Sequence, residues 1–92
     1  MPHLATDASI RRPLRLGDRV TVYLDGRPLP ERGVVALVTR AGVEEDLLTG
    51  ETFEVRASVS VHAYLPFSGP AYFFVDPVTG RDFSDALCWV CN

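Results

Sequence analysis

The sequence predicts an all-β protein, a small barrel of five or six antiparallel strands with at most one short helical turn. Three observations favour this fold class. A strict alternation of apolar and polar residues runs from Phe53 to Leu65, short apolar segments rich in valine and aromatic residues recur along the chain, and turns containing proline or glycine separate them. With 92 residues the chain forms one domain. We assign that domain to residues 14–92 and expect residues 1–13, which show no strand or helical period, to form a flexible arm.

The alternating segment is the element around which the fold is organised. Its apolar side chains occupy every second position, at Phe53, Val55, Ala57, Val59, Val61, Ala63 and Leu65. In a strand this period places one face in the core and turns the other toward water or a partner. The thirteen residues would span over about 40 Å, so we expect a bend near Ala57 or Ser58 that lets the segment serve two sheets. Alternatively, part of it pairs with a second copy, giving a homodimer by strand addition.

Two strands are predicted before this segment. In the first, Val20, Val22 and Leu24 alternate with polar residues. A proline-rich loop follows, and the second strand begins at Gly33; its more apolar composition indicates a central position in the sheet. Residues 41–52 are the only candidate for a helix, and one helical turn or an acidic loop fits them equally well.

Two further strands are predicted after the alternating segment. Residues 66–70 contain two prolines and a glycine and form a turn. Residues 71–76 form a short aromatic strand, and residues 76–80 form a second turn with proline at its second position. Residues 85–91 form the last strand.

The composition excludes several classes of protein. The net charge is −3, but residues 1–40 carry +3 and residues 41–92 carry −6. The first twenty residues lack the apolar region of a signal peptide, and no apolar run approaches the roughly 18 residues that span a bilayer. Two cysteines are too few for a disulfide framework. We therefore expect a cytoplasmic protein with reduced thiols and no contact with a membrane.

The first strand and the start of the second carry a short motif. Leu16-Gly17-Asp18-Arg19-Val20 is followed, after the loop, by Gly33-Val34-Val35-Ala36. Over about residues 14–38 this pattern resembles the opening of SH3-like barrels of the KOW and Tudor kind, which often begin with GD-x-V and continue with G-x-V on the second strand. The resemblance implies an SH3-like barrel and a binding module rather than an enzyme.

The residues offer no persuasive catalytic set, so we predict that the protein is not an enzyme. Only His3 and His62 are available to activate a nucleophile, and His62 lies on the polar side of the alternating strand. No glycine-rich phosphate loop is present in the sequence, and we predict no cofactor.

Cys88 and Cys91 have the C-x-x-C spacing of many metal and redox sites. A structural zinc needs four ligands, and the chain has no second pair of ligands at a similar spacing, so no metal site within one chain is predicted. In an extended strand the two thiols point to opposite faces, which favours two buried thiols. A metal shared between two chains and a redox dithiol remain alternatives.

A cluster of aromatic residues is the most informative functional signal. Tyr64, Tyr72 and Phe74 are expected on one surface, with Phe67 in the intervening turn and His62 on the same side of its strand. Rings of this size are costly to leave in water without a use. Either a second sheet or the C-terminal segment covers them as core, or they form a surface for a partner.

We therefore predict a non-catalytic protein-binding module that acts as a small regulator, an inhibitor or an assembly adaptor. Its partner-binding residues are expected to be His62, Tyr64, Phe67, Tyr72 and Phe74, with Arg27 and Arg32 adding charged contacts at the rim. One alternative is a nucleic-acid-binding barrel that contacts phosphates through Arg11, Arg12, Arg15 and Arg19. Another is a structural component of a phage or other large assembly.

Overall fold

The computed structural model describes residues 12–92, and this part of the chain contains strands and turns but no helix. The strands are β1 (Arg19–Leu24), β2 (Arg27–Pro28), β3 (Gly33–Thr39), β4 (Gly42–Glu45), β5 (Thr52–Val55), β6 (Ser58–Leu65), β7 (Gly69–Val75) and β8 (Trp89–Cys91). Every strand pair is antiparallel. The predicted all-β class is confirmed. Arg11 and most of the predicted arm at 1–13 lie outside the described residues.

The main sheet has six strands, in the order β2-β1-β3-β6-β7, with β8 paired to β1. β3 lies between β1 and β6, which confirms its predicted central position. Continuous pairing does not close the sheet into a barrel, because β7 and β8 are linked only through the isolated bridges Val75–Asp82 and Arg81–Trp89. The last strand is shorter than predicted: residues 85–88 precede it in turns, in which Asp82 and Asp85 accept hydrogen bonds from nearby backbone N–H groups.

The alternating segment is interrupted near the position where a bend was predicted. β5 ends at Val55 and β6 begins at Ser58, so the break falls at residues 56–57, and the two halves belong to different sheets. The expectation of one buried face is correct for β6, where Val59, Val61 and Ala63 are almost fully buried. It is wrong for the first half, because Phe53 leaves the main sheet with β5 and remains half exposed.

The helical turn considered for residues 41–52 is wrong. β4 and β5 pair with each other from Gly42–Val55 to Glu45–Thr52 and form a separate two-stranded sheet. We call this hairpin, residues 42–55, the arm; it is distinct from the N-terminal arm predicted at residues 1–13. It packs on itself and scarcely touches the main sheet.

The core lies on one side of the main sheet and is built almost entirely from valine. Its buried members are Leu14, Val20, Val22, Val35, Val59, Val61, Ala63, Val75 and Val90, with Leu29 and Phe73 packed against them. These residues come from the alternating positions of β1, β3, β6, β7 and β8, together with two flanking segments. Leu14 is buried with them, so the chain contributes to the core before β1 begins.

Candidate aromatic docking surface

Three strands bring the predicted aromatic residues together on the side of the sheet opposite the core. Val34 of β3, His62 of β6 and Tyr72 of β7 lie in one row across the strands. In the neighbouring row Leu37 lies opposite Ser60, which lies opposite Phe74. Residues in register on adjacent strands share a face. We define the outer face as the surface formed by Val34, Leu37, His62, Tyr64, Tyr72 and Phe74.

The centre of the outer face is a cluster of three rings. The imidazole of His62 stacks on Tyr72, with 4.8 Å between ring centroids and 18° between planes. It also contacts Tyr64 in a tilted arrangement at 5.2 Å. These distances and orientations are those of favourable aromatic pairs, so each ring restricts the others. The cluster is a preorganised surface rather than a set of independent side chains.

The outer face is open to solvent. The exposed fractions are 51% for Tyr64, 60% for Tyr72 and 55% for Phe74. The alternative that a second layer buries these rings is wrong for the described chain, because the segment with Trp89 does not cover them. Trp89 instead stacks on Tyr23 of β1, with ring centroids 5.1 Å apart.

Sequence reasoning missed the two aliphatic members of this surface. Val34 and Leu37 are three residues apart, so they cannot share a face of a regular strand. A register shift between Val35 and Leu37 inserts Ala36 as an extra residue in β3 and reverses the alternation. Leu37 thereby joins Val34 on the outer face, where the two are 56% and 39% exposed. The apolar surface therefore continues from the rings onto β3.

The outer face is nearly free of charge. The four strands β1, β3, β6 and β7 contain one charged residue, Arg19, which pairs in register with Val34 at the edge of the surface. Solvent-facing positions of an antiparallel sheet are ordinarily polar or charged. An exposed sheet face that carries rings and aliphatic side chains instead is typical of an interaction surface.

The structure places only some of the other predicted partner-binding residues beside the ring cluster. Phe67 is fully exposed in the turn between β6 and β7, beside the cluster in sequence. Arg32 is exposed and lies directly before β3. Arg27 lies in β2, which is separated from β6 by two strands, so it is not brought to the ring cluster.

Among the arginines proposed for nucleic-acid binding, Arg19 lies at the edge of the outer face, and Arg12 and Arg15 precede β1. Arg12 forms an ion pair with Asp18 at 3.1 Å, and the same carboxylate accepts a hydrogen bond from the backbone N–H of Arg15. The side chain of Asn92 donates to the carbonyl of Arg12. The ion pair engages the Arg12 guanidinium, and the three contacts together hold the segment before β1 in place.

Cys88 has the surroundings of a structural thiol. It is 1% exposed, whereas Cys91 in β8 is half-buried. Burial first, then the carboxylates of Asp82, Asp85 and Asp25, raise the pKa of the Cys88 thiol to about 12. Because the thiolate is the reactive and metal-binding form, this thiol is inert near neutral pH. Within residues 12–92, no group of three or more histidine, cysteine, aspartate or glutamate side chains is arranged to hold a metal ion.

The arm displays a second exposed apolar feature. Its tip has the sequence Asp-Leu-Leu-Thr-Gly, in which Leu47 and Leu48 are 93% and 96% exposed. The backbone N–H of Leu48 donates to Asp46 Oδ1 at 2.8 Å, and that of Gly50 donates to the Asp46 carbonyl at 2.7 Å. The two leucines are thus held on a hydrogen-bonded turn. At the base of the arm, the Arg56 guanidinium lies 4.1 Å from the centre of the Phe83 ring.

The chain matches no protein-family model, no curated protein and no solved structure. No helix within the described residues has the length and apolar character needed to cross a membrane.

Proposed function

We propose that this protein is a non-catalytic protein-binding module and that the outer face is its docking surface. The observation that carries this proposal is the ring cluster of His62, Tyr64 and Tyr72, whose two tyrosines are exposed, on a sheet face with almost no charge. Tyrosine rings in rigid clusters are efficient anchors, because they bury a large area at a small cost in side-chain entropy. A partner with a complementary apolar surface fits this face.

Among the roles of regulator, inhibitor and assembly adaptor, we propose the adaptor. The arm gives the chain a second exposed apolar feature that is separate from the outer face. A module with two such surfaces has the means to contact two neighbours at once, which a simple inhibitor does not need. The same observation favours a structural component of a phage or other large assembly as the second candidate function.

Nucleic-acid binding remains a weaker proposal. Arg19 is the only cation on the four strands of the outer face, and Arg12 is paired with Asp18. Binding through phosphate contacts needs several free cations and weakens steeply with salt. A gel-shift assay at low salt tests nucleic-acid binding by the wild-type chain. Capture of protein partners by the same chain tests protein binding, so the two assays together separate the functions.

Tyr72→Ala tests the docking surface. We expect it to weaken the capture of the protein's partners from a lysate of the source cells by more than about tenfold, because a buried tyrosine anchor contributes about 2 kcal/mol or more. The melting temperature should change little, since Tyr72 is 60% exposed. The readout is quantitative mass spectrometry of captured proteins beside a thermal melt.

The matched control is Val78→Ala, which truncates an apolar residue that is 78% exposed in the turn after β7. It should leave both capture and melting temperature unchanged. Undiminished capture by Tyr72→Ala would contradict the proposal. A large drop in its melting temperature would assign Tyr72 to the core instead.

A further inference from the structure

We infer that the partner of the outer face is a second copy of this chain, whose arm tip docks there. This inference rests on the proposed function and specifies its partner. The arm and the outer face are the two large apolar features that the described chain leaves exposed, and they lie on different sheets.

The tip is built to dock as a unit. Leu47 and Leu48 touch almost nothing in their own chain, yet their turn is fixed by hydrogen bonds from the N–H groups of Leu48 and Thr49 to Asp46 Oδ1. A third hydrogen bond, from the N–H of Glu51 to Thr49 Oγ1, closes the turn. Because these bonds already fix the turn, its backbone loses little further entropy when the two leucines are buried in a partner.

The arm also lacks support of its own. A two-stranded hairpin is marginally stable in water unless another layer covers one of its faces. In the arm, Val43 and Phe53 are 69% and 51% exposed, so no layer formed by residues 12–92 supplies that cover. A contact with another molecule would supply it.

Charge complementarity identifies the outer face as the receptor. The arm carries five carboxylates and no cation: Glu44, Glu45, Asp46, Glu51 and Glu54. The outer face carries no carboxylate, and two arginines lie beside it: Arg19, in register with Val34, and Arg32, directly before β3. An acidic arm with an apolar tip therefore meets an apolar surface with a basic flank, which steers association and fixes its orientation.

The contact is head to tail, since the arm of one copy meets a different surface on the next. Such heterologous contacts produce closed rings when the rotation between copies closes and open filaments when it does not. Each copy would then use both of its apolar features, and an assembly of this kind agrees with the adaptor role.

The test uses the full chain and two variants that each remove one side of the contact. The arm variant is Leu47→Ser with Leu48→Ser, and the face variant is Tyr72→Ala. Analytical ultracentrifugation over a concentration series should show oligomers for the wild type. Each variant alone should associate more than about tenfold more weakly, because it loses apolar area from one side of every contact.

The decisive sample is an equimolar mixture of the two variants. The face variant keeps a working arm and the arm variant keeps a working face, so the mixture should form a heterodimer and nothing larger. Added salt should weaken it, because opposite charges flank the contact. The control is Val78→Ser in the equivalent turn at 76–80, which should associate like the wild type.

A wild-type chain that stays monomeric at every concentration would overturn the inference, as would variants that still form oligomers or a mixture that does not pair. If the wild type is monomeric but Tyr72→Ala still loses a captured protein of another kind, the docking surface stands and only the identity of its partner is wrong.

Discussion

Val61→Asp is expected to abolish cooperative folding. Val61 is fully buried and lies in register between Val35 and Phe73 at the centre of the core. An unpaired carboxylate at this position costs several kcal/mol in desolvation, or must become protonated to avoid that cost. Small domains have total stabilities of about 5–15 kcal/mol, and a chain of this size lies toward the lower end. Urea unfolding followed by circular dichroism should therefore show no sigmoidal transition at neutral pH.

The matched control places the same charge on the opposite face of the same strand. Tyr64→Asp changes a residue that is 51% exposed, so its carboxylate stays hydrated. We expect a change in the free energy of unfolding of about 1 kcal/mol or less. Similar unfolding curves for the two variants would show that the strand has no buried side, contrary to the structure.

Gly33→Val is expected to destabilise the domain by about 2–3 kcal/mol. A Cβ atom added at Gly33 would lie 2.8 Å from Val61 Cγ1, 3.0 Å from Val22 Cγ2 and 3.1 Å from the carbonyl oxygen of His62. Valine side chains are stiff and the carbonyl belongs to a paired strand, so β1, β3 and β6 would have to separate. The decrease should be visible as a lower midpoint of urea unfolding with a similar slope.

Gly42→Val provides the comparison for this substitution. Gly42 also begins a strand, β4, but a Cβ atom there would meet nothing within 4 Å. Since valine favours extended backbone, we expect this variant to be neutral or slightly stabilising. Equal destabilisation by both substitutions would point to a backbone requirement at glycine rather than to the close packing around Gly33.

The parts of the fold that depend on local period could be predicted from the sequence. The alternation in residues 58–65 fixes which side chains of β6 enter the core, because strand geometry places every second residue on one face. The bend before Ser58 followed from chain length alone. The common surface of His62, Tyr64 and Tyr72 followed from the two-residue period of each strand. The turn between β6 and β7 is shorter than the predicted 66–70, since β7 begins at Gly69, and it places His62 opposite Tyr72.

The arm was missed although the sequence carried a signal for it. The pattern Asp-x-x-Thr-Gly occurs at 46–50 and again at 76–80. In both copies the aspartate Oδ1 accepts from the N–H groups two and three residues later, and the threonine Oγ1 accepts from the N–H two residues later. Only the second copy contains proline, and the spacing of Val43, Leu47 and Leu48 suggested a helix. The side chains of Asp46 and Thr49 accept hydrogen bonds from the local backbone, and this stabilises a turn in place of a helix.

The extent of the outer face could not be predicted from local patterns. Leu37 reaches it only because Ala36 is an extra residue in β3, and such a shift depends on pairing with a distant strand. Phe53 continues the alternation of the segment but remains exposed, because no second layer within the described residues covers the arm. Whether an alternating position is buried depends on what packs above it, which the period does not encode.

The central claim is that the outer face is covered by a partner in the cell. Hydroxyl-radical footprinting tests it most directly, by comparing oxidation of Tyr64, Tyr72 and Phe74 in intact source cells and in the dilute purified chain. Leu87, which is 57% exposed outside this surface, serves as the internal reference. We expect the three rings to be several-fold less oxidised in cells relative to Leu87. Equal relative oxidation in both samples would contradict the account.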